Sequence, residues 1–305
     1  MLNQRTISKK ISVAGLGLHS GKRVELTLSP APANYGIQFK RTDLNNAAPI
    51  KACTSNVSQT LNNTTIGNGE NTVHTVEHLL AVLYGFGIDN VLCEIDGPEV
   101  PIMDGSGASF VFVVKEAGIS KLSVSKKFMV ILEPIRVELG DKWAMVEPSS
   151  KLVIDSTIVF PHPQIQNQRE VFDFSCENFL NDIARARTFG LLRDVDVLKR
   201  KGLIKGGSLN NCIVLDDYKV INEEGLRFKN EFIRHKILDT LGDMSLLGFE
   251  LAGKITSFKS GHNLHNMLCK QILANPKSYE VVSANELQEE AIKSFDLPLA
   301  ISYSS

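Results

Sequence analysis

His235 and Asp239 lie four residues apart in Glu231-Phe-Ile-Arg-His-Lys-Ile-Leu-Asp-Thr-Leu-Gly-Asp243. On a helix that spacing is about one turn, so both side chains project to the same side. Imidazole nitrogen plus carboxylate oxygen is half of a hydrolytic zinc site, which usually takes three protein ligands and keeps one position for water. The pair therefore asks for a third ligand. A plainer reading stands beside it. Ile233, Ile237, Leu238, Leu241 and Met244 share one arc of the wheel, and His235, Lys236, Asp239 and Asp243 occupy the other. Such a polar side is commonly a solvated face, with a Lys236–Asp239 contact worth about 0.2–0.5 kcal/mol at i,i+3 spacing. Gly242 counts against that reading. A mid-helix glycine costs about 1 kcal/mol, and this one lies beside the polar stripe, where a neighbour can approach closely.

Three further constellations carry chemistry. His74-Thr-Val-Glu-His78 has the spacing of the inverted zinc-protease pattern. Glu77, about 100° around a helix from His78, can flank a metal without binding it, the position a general base needs. The plainer alternative is a partly buried helix start with incidental histidines. Lys259-Ser-Gly-His-Asn-Leu-His265 follows an apolar strand, where loop residues face clefts. A histidine there is more often a surface residue, but His262 near a metal suits a general acid or an oxyanion partner, and a carboxylate such as Asp243 would hold it protonated. In Ala184-Arg-Ala-Arg-Thr188-Phe-Gly190, the Thr188 hydroxyl can donate to an oxyanion. Beyond it, Leu191, Leu192, Val195 and Leu198 suit either core packing or an apolar passage.

The elements that must position these residues read as follows. Val24–Leu28 and Gly36–Lys40 alternate as strands around a Pro30–Asn34 turn. A helix is expected over Thr75–Tyr84 with Gly85 near its C-cap, then a strand over Asn90–Ile95 and a helix over Phe110–Ala117. The polar stretch Ser120–Lys127 reads as a domain boundary. Strands restart at 128–132, 135–139, 143–146 and 152–160. Helices are expected at 177–185, 195–201 and 230–247, and an apolar strand at 251–258. Each half places a histidine-bearing helix before an apolar strand, a slight internal echo. The expectation is an α+β protein of two similar two-layer sandwiches, each a sheet with two helices on one face, covering 1–124 and 125–305 with the active site between them.

Composition bounds the rest. The 305 residues are 43% hydrophobic and 22% charged, with net charge -1. That fits a globular protein and gives no electrostatic case for nucleic acid. No apolar run approaches the ~20 residues of a membrane span. The five cysteines are scattered, and the first residues lack the apolar core of a signal peptide, so a cytoplasmic protein with reduced thiols is expected.

Eight runs then occur in order: Gly15-Leu-Gly-Leu-His-Ser-Gly21, Thr75-Val-Glu-His-Leu79, Gly87-Ile-Asp-Asn90, Pro101-Ile-Met-Asp-Gly105, Arg185-Ala-Arg-Thr-Phe-Gly190, Gly225-Leu-Arg-Phe228, Arg234-His-Lys-Ile-Leu-Asp239 and Lys259-Ser-Gly-His262. Together they closely resemble the UDP-3-O-acyl-N-acetylglucosamine deacetylases, zinc enzymes of bacterial lipid A synthesis. The resemblance runs from Gln4 to about Leu299. It implies one zinc ion per chain on His78, His235 and Asp239, with Glu77 as general base and His262 as general acid oriented by Asp243. It further implies that Thr188 stabilises the oxyanion, that Lys236 is a polar contact near the reacting group, and that Phe189, Asp194, His19 and Lys142 border the substrate. An insert at about 191–215 would form the acyl-chain passage, and Asp104 would support the site from behind. The implied partner is the nucleotide-sugar substrate alone, with the chain expected to act as a monomer.

His74 completes H-x-x-E-H here, whereas the resemblance leaves it outside the ligand set. The stretch Thr60–Thr65 is more polar than the family's usual pattern at the substrate mouth. Two other readings compete: a metalloprotease holding zinc on His74 and His78, which leaves His235 and Asp239 unexplained, and a non-catalytic sugar-nucleotide or lipid binder.

Overall fold

Two five-stranded sheets with the same topology frame the molecule. The computed structural model describes residues 2–286, so the last part of the resemblance, to about Leu299, lies outside the described residues. The first sheet runs Ile11–Leu16, Arg23–Pro30, Val91–Ile95, Ile37–Arg41, Ile50–Lys51. The second runs Ile135–Leu139, Lys142–Glu147, Lys254–Phe258, Val153–Phe160, Gln166–Asp173. In both, only the third and fourth strands of that order pair parallel; every other pairing is antiparallel. The slight echo in sequence is thus a full echo in topology, because strand pairing depends on the apolar pattern far more than on residue identity.

Helices α1 (Glu77–Gly85) and α2 (Ala108–Ala117) belong to the first half. A single turn, α3 (Cys176–Asn178), and α4 (Leu192–Arg200) precede α5 (Glu231–Met244) and α6 (His262–Ala274) of the second. The helix α5 packs on the two strands at 153–173 and on α1, and α6 packs on the hairpin 135–147. The two helical layers therefore face each other, with a sheet outside each. One apolar core runs from Leu26 and Leu28 through Leu79 and Leu83 of α1 to Leu238 and Leu241 of α5 and on to Ile255. All nine residues of α1 are buried. A helix apolar nearly all round is a core helix, and α1 fills that place between the two halves.

Several expected boundaries move for physical reasons. The helix α1 begins at Glu77, not Thr75, because Thr75 has a left-handed backbone (φ 57) that cannot continue a helix. The polar stretch Ser120–Lys127, which reads as a domain boundary, is mostly the strand Ile119–Ser125, which pairs with Asn3–Ile7. The expected 177–185 helix is α3 followed by a π-turn at Phe179–Ile183. The apolar run 251–258 is split: Glu250–Ala252 pairs with Lys127–Ile131, and Lys254–Phe258 joins the second sheet. The helix α6, which starts at His262, replaces the expected loop.

Candidate active site

The polar stripe of α5 does not face water. His235, Asp239 and Asp243 are 2%, 2% and 3% exposed. The stripe faces the start of α1, so the solvated-face reading of this helix is overturned. Gly242 makes the approach possible: a Cβ there would land on the carbonyl oxygen of Glu77. The neighbour that the glycine admits is the residue expected as general base.

This crossing brings His78 of α1 to His235 and Asp239. The Nε2 atoms of His235 and His78 lie 3.4 and 3.6 Å from Asp239 Oδ1. That oxygen is buried and has no hydrogen-bond donor. An orphaned buried carboxylate oxygen is costly unless something absent from the protein chain compensates it. Two donors about 2.0–2.1 Å from one tetrahedral ion stand about 3.4 Å apart, so an oxygen with imidazole nitrogens at 3.4 and 3.6 Å, all three atoms within 4.8 Å of one another, fits a metal. The outer contacts fit too. His235 Nδ1 donates to the Ala186 carbonyl at 3.1 Å, which leaves the Nε2 lone pair for the ion. Burial lowers His235 to about 3, so the ring stays neutral, as a ligand must be. Lys236 Nζ donates to Asp239 Oδ2 at 2.9 Å. Burial opposes ionisation of Asp239, but the basic groups around it, Lys236 among them, outweigh it and hold the carboxyl well below the usual range.

One turn along α5, Asp243 is saturated. Its Oδ1 accepts the Thr64 hydroxyl at 2.5 Å, and its Oδ2 accepts Nδ1 of both His262 (2.8 Å) and His265 (2.7 Å). These three residues also have spacing a metal could use. Contacts at 2.7–2.8 Å are hydrogen-bond lengths that leave no room for an ion between the atoms, so this group handles protons. Burial alone would lower His262, but Asp243 and then Glu77 raise it to about 10. Glu77 is raised by burial. Its Oε2 accepts the Thr64 backbone N–H at 3.0 Å, and its Oε1 lies 3.8 Å from His262 Nε2. A cationic imidazole and a carboxylate thus face each other beside the metal trio, an acid and a base in one cleft.

His74 is not part of this. It precedes α1, and its Nδ1 contacts Thr65 Oγ1 at 2.8 Å. The protease reading needs His74 and His78 on one helix face, and the left-handed Thr75 between them turns His74 away.

A cavity of about 580 Å³ opens on the site. Glu77, His78, Thr188, Phe189, Asp194 and His19 line it, as do Lys236 and His262. Thr188 is pinned on both sides: its N–H donates to Gly105 O at 2.7 Å, and its carbonyl accepts from Ile213 at 2.8 Å. Gly105 has φ 82, and a side chain there would strike the Asn211 carbonyl. Leu191, Val195, Leu198 and Ile204 give the cavity an apolar wall.

Two other expected residues stand outside the cavity lining. Lys142 is exposed at the turn of the 135–147 hairpin, where the chain reverses toward solvent, and is not among the lining residues. Asp104 does not touch the metal trio. It pairs with Arg227 at 2.8 Å and bonds Ser106, bracing the loop that holds Thr188.

These observations meet a match at the level of sequence. A family model for UDP-3-O-acyl N-acetylglycosamine deacetylase covers residues 4–274. The chain belongs to this deacetylase family. The UDP-3-O-acyl-N-acetylglucosamine deacetylase of Aliivibrio fischeri is 46% identical over 295 residues, which cover 96% of this chain and 97% of the relative. The deacetylase family is one of metalloenzymes that hydrolyse an amide, and its chemistry accords with a trio that can hold a metal beside an acid–base pair.

Residues with no obvious chemical signature do much of the positioning in this deacetylase. Arg187 is buried, and its guanidinium bonds Glu231 at the start of α5 at 2.9 Å. That pair fixes Ala186, whose carbonyl orients His235, and Thr188 on its other side. Thr64 caps both Glu77 and Asp243. The polar run Thr60–Thr65 held the only hint of it.

Proposed function

We propose that the cleft hydrolyses the N-acetyl group of UDP-3-O-acyl-N-acetylglucosamine, releasing acetate and the free amine as a step of lipid A biosynthesis, with one zinc ion on His78, His235 and Asp239. A zinc ion there supplies Lewis acidity: it polarises the acetamide carbonyl and lowers the pKa of water toward ~7. Glu77 Oε1 takes the proton from the attacking water. Thr188 donates its hydroxyl to the developing oxyanion. His262, held as a cation against Asp243, gives its Nε2 proton to the leaving glucosamine nitrogen. Lys236 holds Asp239 in place through Oδ2 and keeps Oδ1 free for the metal.

The apolar channel past Phe189, formed with the insert at 191–215, takes the acyl chain. His19 and Asp194 meet the polar part of the substrate. The halves 1–124 and 125–305 act as two domains in a monomeric, cytoplasmic enzyme, each supplying part of the site.

The orphaned Asp239 Oδ1, flanked by two imidazole Nε2 atoms, carries this reading. A non-catalytic binder has no use for an unpaired buried carboxylate oxygen opposite an acid–base pair. The test is metal analysis with an acetate-release assay on wild type and His78→Ala. About one zinc per chain and acetate release in wild type, with both lost in the variant, is expected. Nucleotide-sugar binding without acetate release would end the proposal.

A further inference from the structure

One donor to Asp243 has no part in the chemistry above. His265 lies on α6, one turn past His262, and is 1% exposed. Its Nδ1 stands 2.7 Å from Asp243 Oδ2, the same oxygen that His262 Nδ1 meets at 2.8 Å. Its Nε2 faces Ser260 Oγ at 3.1 Å and Thr240 Oγ1 at 3.4 Å. The Thr240 hydroxyl already donates to the Lys236 carbonyl at 2.8 Å, so it has no proton to offer. Ser260 has one. The Asp243 carboxylate only accepts, so a His265 proton faces it on Nδ1, and Ser260 can donate to Nε2.

We propose that His265 is a positioning residue for the proton donor: it pins Asp243 Oδ2 and tempers that oxygen, so that Asp243 orients His262 without holding its proton too tightly. This deepens the reading of His262 as general acid and rests on it. Two physical effects support it. The first is geometric. Oδ2 is held by two histidines from one helix and Oδ1 by Thr64 from the other half, so the carboxylate cannot rotate and His262 Nε2 stays directed toward the cleft beside Glu77. The second is electronic. Each hydrogen bond to a carboxylate stabilises its charged form. An Asp243 that also receives His265 is a weaker proton acceptor, and His262 remains a better acid.

The experiment compares His265→Leu, His265→Asn and Ser260→Ala by metal content, kcat, KM and the pH profile of kcat/KM. Loss of one hydrogen bond to a carboxylate should move the alkaline limb of the Leu variant up by about one pH unit and lower kcat about tenfold, with metal content and KM held. The Asn variant keeps an N–H donor and should recover to within about threefold of wild type. Ser260→Ala should move the limb the same way by less. A Leu variant with wild-type kcat and an unmoved limb overturns the proposal, provided His262→Ala is impaired. If the Leu variant does not fold, an unmoved limb in Ser260→Ala does so instead. A His262→Ala enzyme with full kcat removes the underlying reading, and this inference with it.

Discussion

Asp239 and Asp243 sit one turn apart on α5, both buried and both against two histidines, yet they are built for opposite tasks. Asp239 Oδ1 has no hydrogen-bond donor, and its two imidazole neighbours stand back at 3.4 and 3.6 Å. Asp243 has three donors at 2.5–2.8 Å. The same residue types thus make a metal pocket in one place and a proton-handling cluster in the other. What separates them is hydrogen-bond saturation, which no count of histidines and carboxylates reports.

Breaking only the first cluster should have the largest effect. Asp239→Ala is expected to lose bound metal and acetate release together while circular dichroism still shows a folded chain; retained metal would contradict the trio. Removing the base that faces the second should spare the metal. Glu77→Gln is expected to keep metal and substrate affinity but lose roughly 10²–10⁴-fold in kcat, checked by steady-state kinetics alongside metal analysis. Gly242→Ala attacks the contact that both clusters share. Its methyl group meets the backbone of Glu77, and overpacking of this kind costs about 1–3 kcal/mol, to be read as a lowered denaturant midpoint with metal affinity and kcat falling together.

Asp243→Asn sharpens the contrast through pH. Burial works against the His262 cation, while Asp243 and Glu77 hold its pKa up to about 10. The acid must be protonated, so activity is lost as pH rises through that pKa. Removing the Asp243 charge lowers the pKa, and the loss should begin at lower pH while metal content stays constant. A limb that stays in place would remove Asp243 from this role. The smallest effect is expected at Asp104→Asn, which touches neither cluster. Its partner Arg227 and Asp104 itself are 28% and 26% exposed, and such a pair is worth about 0–1 kcal/mol, measurable as a small change in Tm.

Much of the frame was legible in the chain. The strands at 128–160 and the helices bearing His78 and His235 follow from apolar periodicity, which burial enforces directly. The eight ordered runs carried the ligand set and the acid–base pair by resemblance. Other features were not legible. The helix α6 is hidden in the sequence because its start, Lys259-Ser-Gly-His262, reads as a loop, and its polar first turn masks the apolar face of Leu264, Leu268 and Ile272. The split at Gly253 sends one apolar run into two sheets, a choice made by partner strands distant in sequence. Lys142 comes to the substrate border by resemblance alone; it is exposed at the end of its hairpin and stands outside the cavity lining.

By itself the sequence determined the residue types, their one-turn spacing on α5 and the apolar pattern that builds each half. Spacing within a helix is local geometry, so it can be read from the chain. Only the tertiary structure decided that the polar stripe is interior, because that depends on α1 arriving from 157 residues upstream and on Gly242 letting it in. The different fates of Asp239 and Asp243 were decided there too. Thr64, His262 and His265 reach one oxygen pair and not the other, and long-range packing sets that.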